Sequence, residues 1–355
     1  MASQLNITVG QYSDKGRKEI NQDFHGVYIP EQAVLRSKGI AIALADGISS
    51  SQVSQVASEA TVRGFLMDYY CTSEAWSVKK SAQQVLTATN SWLFSQSHRS
   101  EYRYNKDKGY VCTLSSLILK STTAHLFHIG DSRIYRLRDH ELEQLTVDHR
   151  SWVSKTESHL SRAMGVNERI EIDYKTETLA LDDIFILATD GVYEFVADEF
   201  IKETIKNQSD DLNQAAKTII ERALEQGSDD NLTLQIIRID ELPIQNADEL
   251  YQQLTVLPFP PILDARMVFD GFTIVRSIHA SSRSHVYLAI DNDSNERVVI
   301  KTPSIDLQAD AAYLERFLME EWIARRISSP NVLKPCTPSR QRHYLYIVME
   351  YIEVQ

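Results

Sequence analysis

Apolar runs of strand length that stop abruptly on an aspartate recur through the first two thirds of this chain. No other feature narrows its fold so far. They read Ala43-Leu44-Ala45-Asp46-Gly47, His128-Ile129-Gly130-Asp131 and Ile186-Leu187-Ala188-Thr189-Asp190-Gly191. Asn21-Gln22-Asp23 and Asp229-Asp230-Asn231 bring in two more such aspartates, Asp23 and Asp230. A carboxylate at the mouth of a buried strand is costly to desolvate unless positive charge meets it. Converging strand ends of this kind would make an oxygen-lined site for a hard cation. Asp-Gly alone is a common hairpin dipeptide. Here Asp46-Gly47 and Asp190-Gly191 each run into helix-like sequence instead of a return strand, so a hairpin turn does not account for them.

Strand patterns are predicted over residues 5–11, 39–45, 112–120, 124–129, 133–138, 170–176, 184–189 and 232–239, and helical spacing over 51–70, 81–95 and 211–225. Short connectors between many of the strands predict largely antiparallel pairing. Helices grouped apart from a run of hairpins predict an α+β fold, with two mainly antiparallel sheets packed as a sandwich and flanked by helices. The 355 residues suffice for two cores. A net charge of -12 without a basic stripe excludes a nucleic-acid binder. The acidity is concentrated early, with 38 Asp/Glu against 27 Lys/Arg before Asp270. Cys71, Cys112 and Cys336 have no metal-type spacing and suit reduced thiols in a cytoplasmic protein. No secretory leader is evident, and no apolar run reaches the roughly 18–20 residues of a membrane span.

Eight stretches together resemble, in order, the bacterial form of the metal-dependent type-2C serine/threonine protein phosphatases. They are residues 13–24, 43–47, 113–119, 129–138, 145–149, 160–165, 185–192 and 227–233. The likeness covers about residues 5–240 and defines a phosphatase domain over 1–240. It implies a β-sandwich with two or three Mn2+ or Mg2+ ions at one end, acting on phosphoserine or phosphothreonine in phosphorylated protein substrates. Carried over by position, Asp46 is the bridging ligand, supported by the Gly47 carbonyl. Asp190 and Asp230 hold the other ion, Asp23 orients the attacking water, and Asp131 with Asp190 forms a third, weaker site. Two cations about 3.5–4 Å apart would acidify water and neutralise the phosphoryl oxygens, so no Ser or Cys nucleophile is needed. Carboxylate ligands suit Mn2+ and Mg2+, whereas zinc would recruit His or Cys. The scattered histidines, His149 among them, are expected to be structural.

The likeness has departures. The family's phosphate-binding arginine aligns with Lys18, and Arg17 stands one residue earlier. Only arginine gives a bidentate grip, which favours Arg17 and leaves Lys18 as the alternative. Ile48 stands where some members carry a general-acid histidine, Ser49 and Ser50 replace glycines, and Gln22 replaces a glutamate. Residues 152–159 fall where such phosphatases carry a flap. A phosphatase-like binding module with weak turnover is the alternative these departures keep open.

Residues 241–267 read as a Pro-rich linker or strap, with Pro243, Pro258, Pro260 and Pro261. Beyond it, Val298-Val299-Ile300-Lys301, Glu320 and Tyr346-Ile347-Val348-Met349-Glu350-Tyr351 resemble the N-terminal lobe of a protein kinase over 268–355, a small five-stranded sheet with one helix. The resemblance implies a Lys301–Glu320 pair that grips ATP phosphates, ATP being a cofactor only of an intact kinase domain. His279, Ser281 and Ser284 occupy the places of glycines that let a backbone approach phosphates. The catalytic residues of a kinase lie beyond the hinge, so kinase activity is not expected of this chain. The expectation is a phosphatase–kinase fusion cut at the hinge. A bifunctional kinase/phosphatase with an incomplete kinase part is the further alternative.

Overall fold

The computed structural model describes residues 4–352 apart from 75, 106–107, 153–157, 244–256, 308–309, 325–326, 328–332 and 337–341. The chain divides into two compact units, Met1–Ile244 and Gln245–Gln355.

In the first unit one sheet has the order β1 (Asn6–Asp14), β12 (Leu232–Glu241), β11 (Ile184–Ala188), β6 (Arg133–Arg138) and β7 (Glu141–Gln144). The other runs β10 (Asp173–Thr178), β5 (Thr123–Ile129), β4 (Leu114–Lys120), β3 (Ile40–Ala45) and β2 (Phe24–Tyr28). Every neighbouring pair in both sheets is antiparallel. Strand alternation sorts the side chains into layers. Ile40, Ile42 and Leu44 of β3 meet Phe185 and Leu187 of β11 and Ile237 and Ile239 of β12 in one core between the sheets. Ala41, Ala43 and Ala45 face the opposite way, packed with Ala57, Phe65 and Tyr69 of α2 (Ser54–Cys71) and Leu86 of α3 (Val78–Arg99). The outer face of the first sheet offers Ile186, Leu234 and Ile236 to α5 (Asp198–Asn207) and α6 (Leu212–Glu225). β3 reads as an unbroken apolar run because both of its faces are covered.

The expected antiparallel α+β sandwich is therefore the observed one. Edge elements were harder to read. β2 and β7 carry no clear alternation, and β7, Glu-Leu-Glu-Gln, buries little because it lies at a sheet margin. The strand expected over 170–176 starts three residues later, at Asp173. The short α1 (Gln32–Lys38) and α4 (Asp190–Tyr193) complete the helices of this unit. The expected flap and strap lie partly outside the described residues, at 153–157 and 244–256. What is described of the flap is a two-stranded pair, β8 (Arg150–Trp152) with β9 (Ser158–Leu160). Among the described residues no helix is long and apolar enough to cross a membrane.

Gly10 sets the distance between β1 and α6. A Cβ there would come within 2.1 Å of the Leu212 backbone carbon. Gly10→Ala is expected to cost about 1–3 kcal/mol through overpacking. The check is a lower urea midpoint with an unchanged slope.

The second unit is a five-stranded antiparallel sheet in the order β13 (Val268–Phe269), β14 (Phe272–Ala280), β15 (Ser284–Asp291), β16 (Arg297–Pro303) and β17 (Ile347–Glu350). One helix, α7 (Ala311–Ala324), lies between the last two strands in sequence. Phe269, Phe272, Ile274, Tyr287 and Tyr346 share one core, and Tyr313, Phe317, Leu345 and Ile347 share another. The sequence predicted a five-stranded sheet with one helix. Four of the strands precede the helix, and Pro335 forms a single bridge to Met349.

Candidate active site

One end of the sandwich is polar inside. On β12 the positions that point between the sheets change from Ile237 and Ile239 to Gln235 and Thr233, both fully buried. Thr233 Oγ1 donates to Asp23 Oδ2 at 2.7 Å, and Thr189 Oγ1 donates to the same oxygen at 3.2 Å. The Thr233 N–H donates to Thr189 Oγ1 at 3.0 Å, which ties the ends of β11 and β12 together. Asp190 follows Thr189 directly and opens α4. Gly191 then lies so close to the 230–231 turn that a Cβ would sit 2.1 Å from the Asn231 carbonyl oxygen and 3.4 Å from Asp230 Cβ. Asp46 leaves β3 with its N–H donating to Thr113 Oγ1 at 3.0 Å, and its carbonyl accepts from the Thr113 N–H at 2.8 Å.

Asn231 organises the loop that precedes Asp23. Its Oδ1 accepts from the Gln22 N–H at 2.8 Å, and its Nδ2 donates to the carbonyls of Lys15 and Ile20 at 2.9 and 3.0 Å. Gln22, in the place of a glutamate, donates from Nε2 to the Ser51 carbonyl and to Ser54 Oγ, so it braces the start of α2.

The carboxylates feel one another. Burial foremost, and then Asp23, Asp190, Asp131 and Asp230, hold the Asp46 carboxyl well above the usual range. Burial, with Asp131 and Asp230 adding to it against the pull of Arg150, raises Asp190 to about 7. Asp23 is raised to about 6 by burial, although Thr233, Asp46 and Thr189 hydrogen-bond to it. Its Oδ1 is buried and meets no hydrogen-bond donor. Among the described residues no three Asp, Glu, His or Cys side chains are drawn together as tightly as a finished metal cage requires. Two cations hold the outer carboxylates instead. Lys18 Nζ lies 3.4 Å from Asp230 Oδ1, and Arg150 pairs with Asp131 at 2.6 Å and Asp190 at 2.9 Å.

The five aspartates singled out in the sequence thus gather at one end of the first unit. Asp131 meets an arginine that the sequence reading passed over. Nothing in Asp148-His149-Arg150 marks that residue, since its partners lie 19 and 40 positions away. The threonines and Asn231 were missed for a similar reason, because their partners lie far off in sequence: Asp23 for the threonines, and the backbone of Lys15, Ile20 and Gln22 for Asn231. Of the two candidate phosphate contacts, Arg17 is exposed, whereas Lys18 reaches Ser49 and Asp230. Three of the histidines are held in hydrogen bonds with neighbouring elements. His149 Nδ1 accepts from the Gly130 N–H at 3.0 Å, His128 bonds Ser115 and the Val147 carbonyl, and His125 bonds Tyr174. In the second unit Lys301 Nζ lies 2.6 Å from both carboxylate oxygens of Glu320.

The model of the family described as protein phosphatase 2C matches residues 11–233. The chain is 28% identical over 253 residues to the serine/threonine phosphatase Stp of Listeria monocytogenes, covering 64% of this chain and 94% of that one. Its fold is similar to the crystal structure of the Mycobacterium tuberculosis serine/threonine phosphatase PstP/Ppp, with TM-score 0.55 and 25% identity over 66% of this chain and 99% of that one. A structure of the PstP catalytic domain in complex with two manganese ions gives TM-score 0.54 at 25% identity, over 67% of this chain and all of that one. The chain belongs to the protein phosphatase 2C family of protein-serine/threonine phosphatases.

Proposed function

We propose that the first unit removes phosphate from phosphoserine and phosphothreonine in proteins with the help of two divalent ions, Mn2+ or Mg2+. Asp46 and the Gly47 carbonyl would hold one ion, and Asp46, Asp190 and Asp230 the other. The observation that carries this reading is the excess of negative charge at the polar end of the sandwich. There a carboxylate oxygen, Asp23 Oδ1, is buried without a donor, and Asp46 is crowded by four other carboxylates. An all-oxygen donor set suits Mn2+ or Mg2+. When bound, such ions neutralise the phosphoryl oxygens and acidify the attacking water.

The residues supply the rest. Asp23, pinned at Oδ2 by two threonine hydroxyls, presents Oδ1 to the water and can take its proton. Lys18, beside Asp230 and Ser49, is placed to contact the substrate phosphate as a point charge. Ile48 offers no proton to the leaving group. Phosphate release from a phosphothreonine peptide with Mn2+ tests the reading. Wild type is expected to turn over and to stop in EDTA, and Asp190→Asn to lose about 10²-fold or more. Equal rates for the two proteins, or activity indifferent to EDTA, would reject it.

For the second unit we infer a kinase N-lobe-like module. The Lys301–Glu320 contact between β16 and α7 supports it, because that pairing is what the resemblance requires. Soaking with an ATP analogue and Mg2+ tests whether Lys301 still contacts nucleotide despite Ser281 and Ser284. No density beside Lys301 counts against it.

A further inference from the structure

Arg150 opens β8 immediately after His149, and its guanidinium is engaged on three sides. Nε donates to Asp131 Oδ2 at 2.6 Å, one terminal nitrogen to Asp190 Oδ2 at 2.9 Å, and the other to Glu194 Oε1 at 2.8 Å. The three carboxylates come from the end of β5, the first residue of α4 and the C-cap of α4. Each element is fixed independently of the arginine. The His149 N–H donates to the Gly130 carbonyl at 2.8 Å while the Gly130 N–H donates to His149 Nδ1 at 3.0 Å. The residues preceding Arg150 and Asp131 are thereby clamped face to face. The Asp131 carbonyl accepts from the Tyr193 hydroxyl at 2.9 Å, and the Arg133 guanidinium packs 3.8 Å from the Tyr193 ring centroid. Asp148 holds Arg133 in turn through contacts of 2.9 and 2.7 Å.

We propose that Arg150 is an internal cation that takes the place of a further divalent ion at the Asp131–Asp190 corner and confines the centre to two ions. This rests on the two-ion reading of Asp46, Asp190 and Asp230. A guanidinium keeps its charge at every working pH and presents its donors in a rigid fork. A divalent ion at this corner would need the same two Oδ2 atoms at about 2.0–2.6 Å. The N–H groups of Arg150 already occupy those positions, and their charge would repel it. Asp190 gives Arg150 only Oδ2, so Oδ1 is left to turn toward Asp46 and Asp230. Arg150 is thus a positioning residue that fixes the rotamer of Asp190. Asp131 is its counter-ion and not a ligand.

Mn2+ binding to the full chain, followed by calorimetry and by loss of the free-Mn2+ electron paramagnetic resonance signal, reads the stoichiometry without substrate. Wild type is expected to take two ions and Arg150→Ser three, the third weaker. The extra ion should vanish in Arg150→Ser/Asp131→Asn, and Arg150→Lys should remain at two. Should the serine variant unfold, Arg150→Gln, nearer in volume, is scored the same way. Three ions in wild type, or two in the serine and glutamine variants, would overturn the role of Arg150 and leave the two-ion centre intact. No binding by wild type would instead remove the two-ion reading on which it rests.

Discussion

Asp46→Asn is expected to abolish phosphate release and at the same time make the metal-free protein harder to unfold. The two effects have one cause. Asp46 is the carboxylate on which the others converge, with Asp23, Asp190, Asp131 and Asp230 all opposing its ionisation. A catalytic centre needs that concentration of charge to hold cations, and the fold without them carries it as a cost. An amide keeps the shape and removes the charge. Turnover should fall by at least about 10²–10³-fold, as when a preorganised electrostatic group is lost. Thermal unfolding in EDTA at pH 8 should shift upward by a few degrees, at about 2–4 °C per kcal/mol for a unit of this size. Saturating Mn2+ should reverse the order, because wild type gains binding energy that the variant cannot recover. A variant as active as wild type, or one less stable in EDTA, would take Asp46 out of the centre.

The sequence revealed what lies in the middle of the sandwich far better than what lies at its margins. Ile40–Ala45 and Ile184–Ala188 are central strands whose both faces are apolar, so their pattern survives in one dimension. β2 and β7 take their partners from one side only and bury too little to leave a pattern. The aspartates were legible because each breaks an apolar run at a fixed offset from glycine or asparagine. Their setting was not legible. Thr189 and Thr233 look like ordinary strand threonines until the antiparallel register of β11 against β12 brings both hydroxyls to Asp23. Arg150 is further removed still, since its partners Asp131 and Asp190 lie 19 and 40 positions away. Lys18 shows a different limit. Guanidinium chemistry favours Arg17, and what the pattern could not give is where the two side chains lie: the Gly16 turn, with a φ of 60° and an amide bonded to Asp14 Oδ1, leaves Arg17 exposed and brings Lys18 to Asp230.

Metal-free protein should lose stability as pH rises from 6.5 to 8, the reverse of what its buried histidines would give. Burial holds His125 at about 3 and His128 at about 4, so the unfolded chain binds more protons there up to about pH 6.5, and these residues favour the fold as pH rises. Asp23, raised to about 6, acts in the opposite sense over part of that interval and cancels part of that gain. Above that point the histidine contribution fades, because the unfolded imidazoles lose their remaining protons within about one pH unit. Asp190, raised to about 7, and Asp46, raised well above its ordinary value, still carry protons in the fold that the unfolded chain has released. A carboxyl with a raised folded pKa contributes stability at low pH and loses it as pH climbs through the folded value. Asp190 and Asp46 drive this loss together, at roughly 1.4 kcal/mol per pH unit for each carboxyl that stays fully protonated, and it exceeds the residual histidine gain. Denaturant melts in EDTA at pH 6.5, 7.25 and 8 measure it, and Asp46→Asn should flatten the slope. With Mn2+ present the trend should invert, because deprotonated carboxylates are the ligands and binding strengthens as they ionise. Stability that holds level or climbs from pH 6.5 to 8 without metal would mean that the aspartates at this end of the sandwich do not share one buried field.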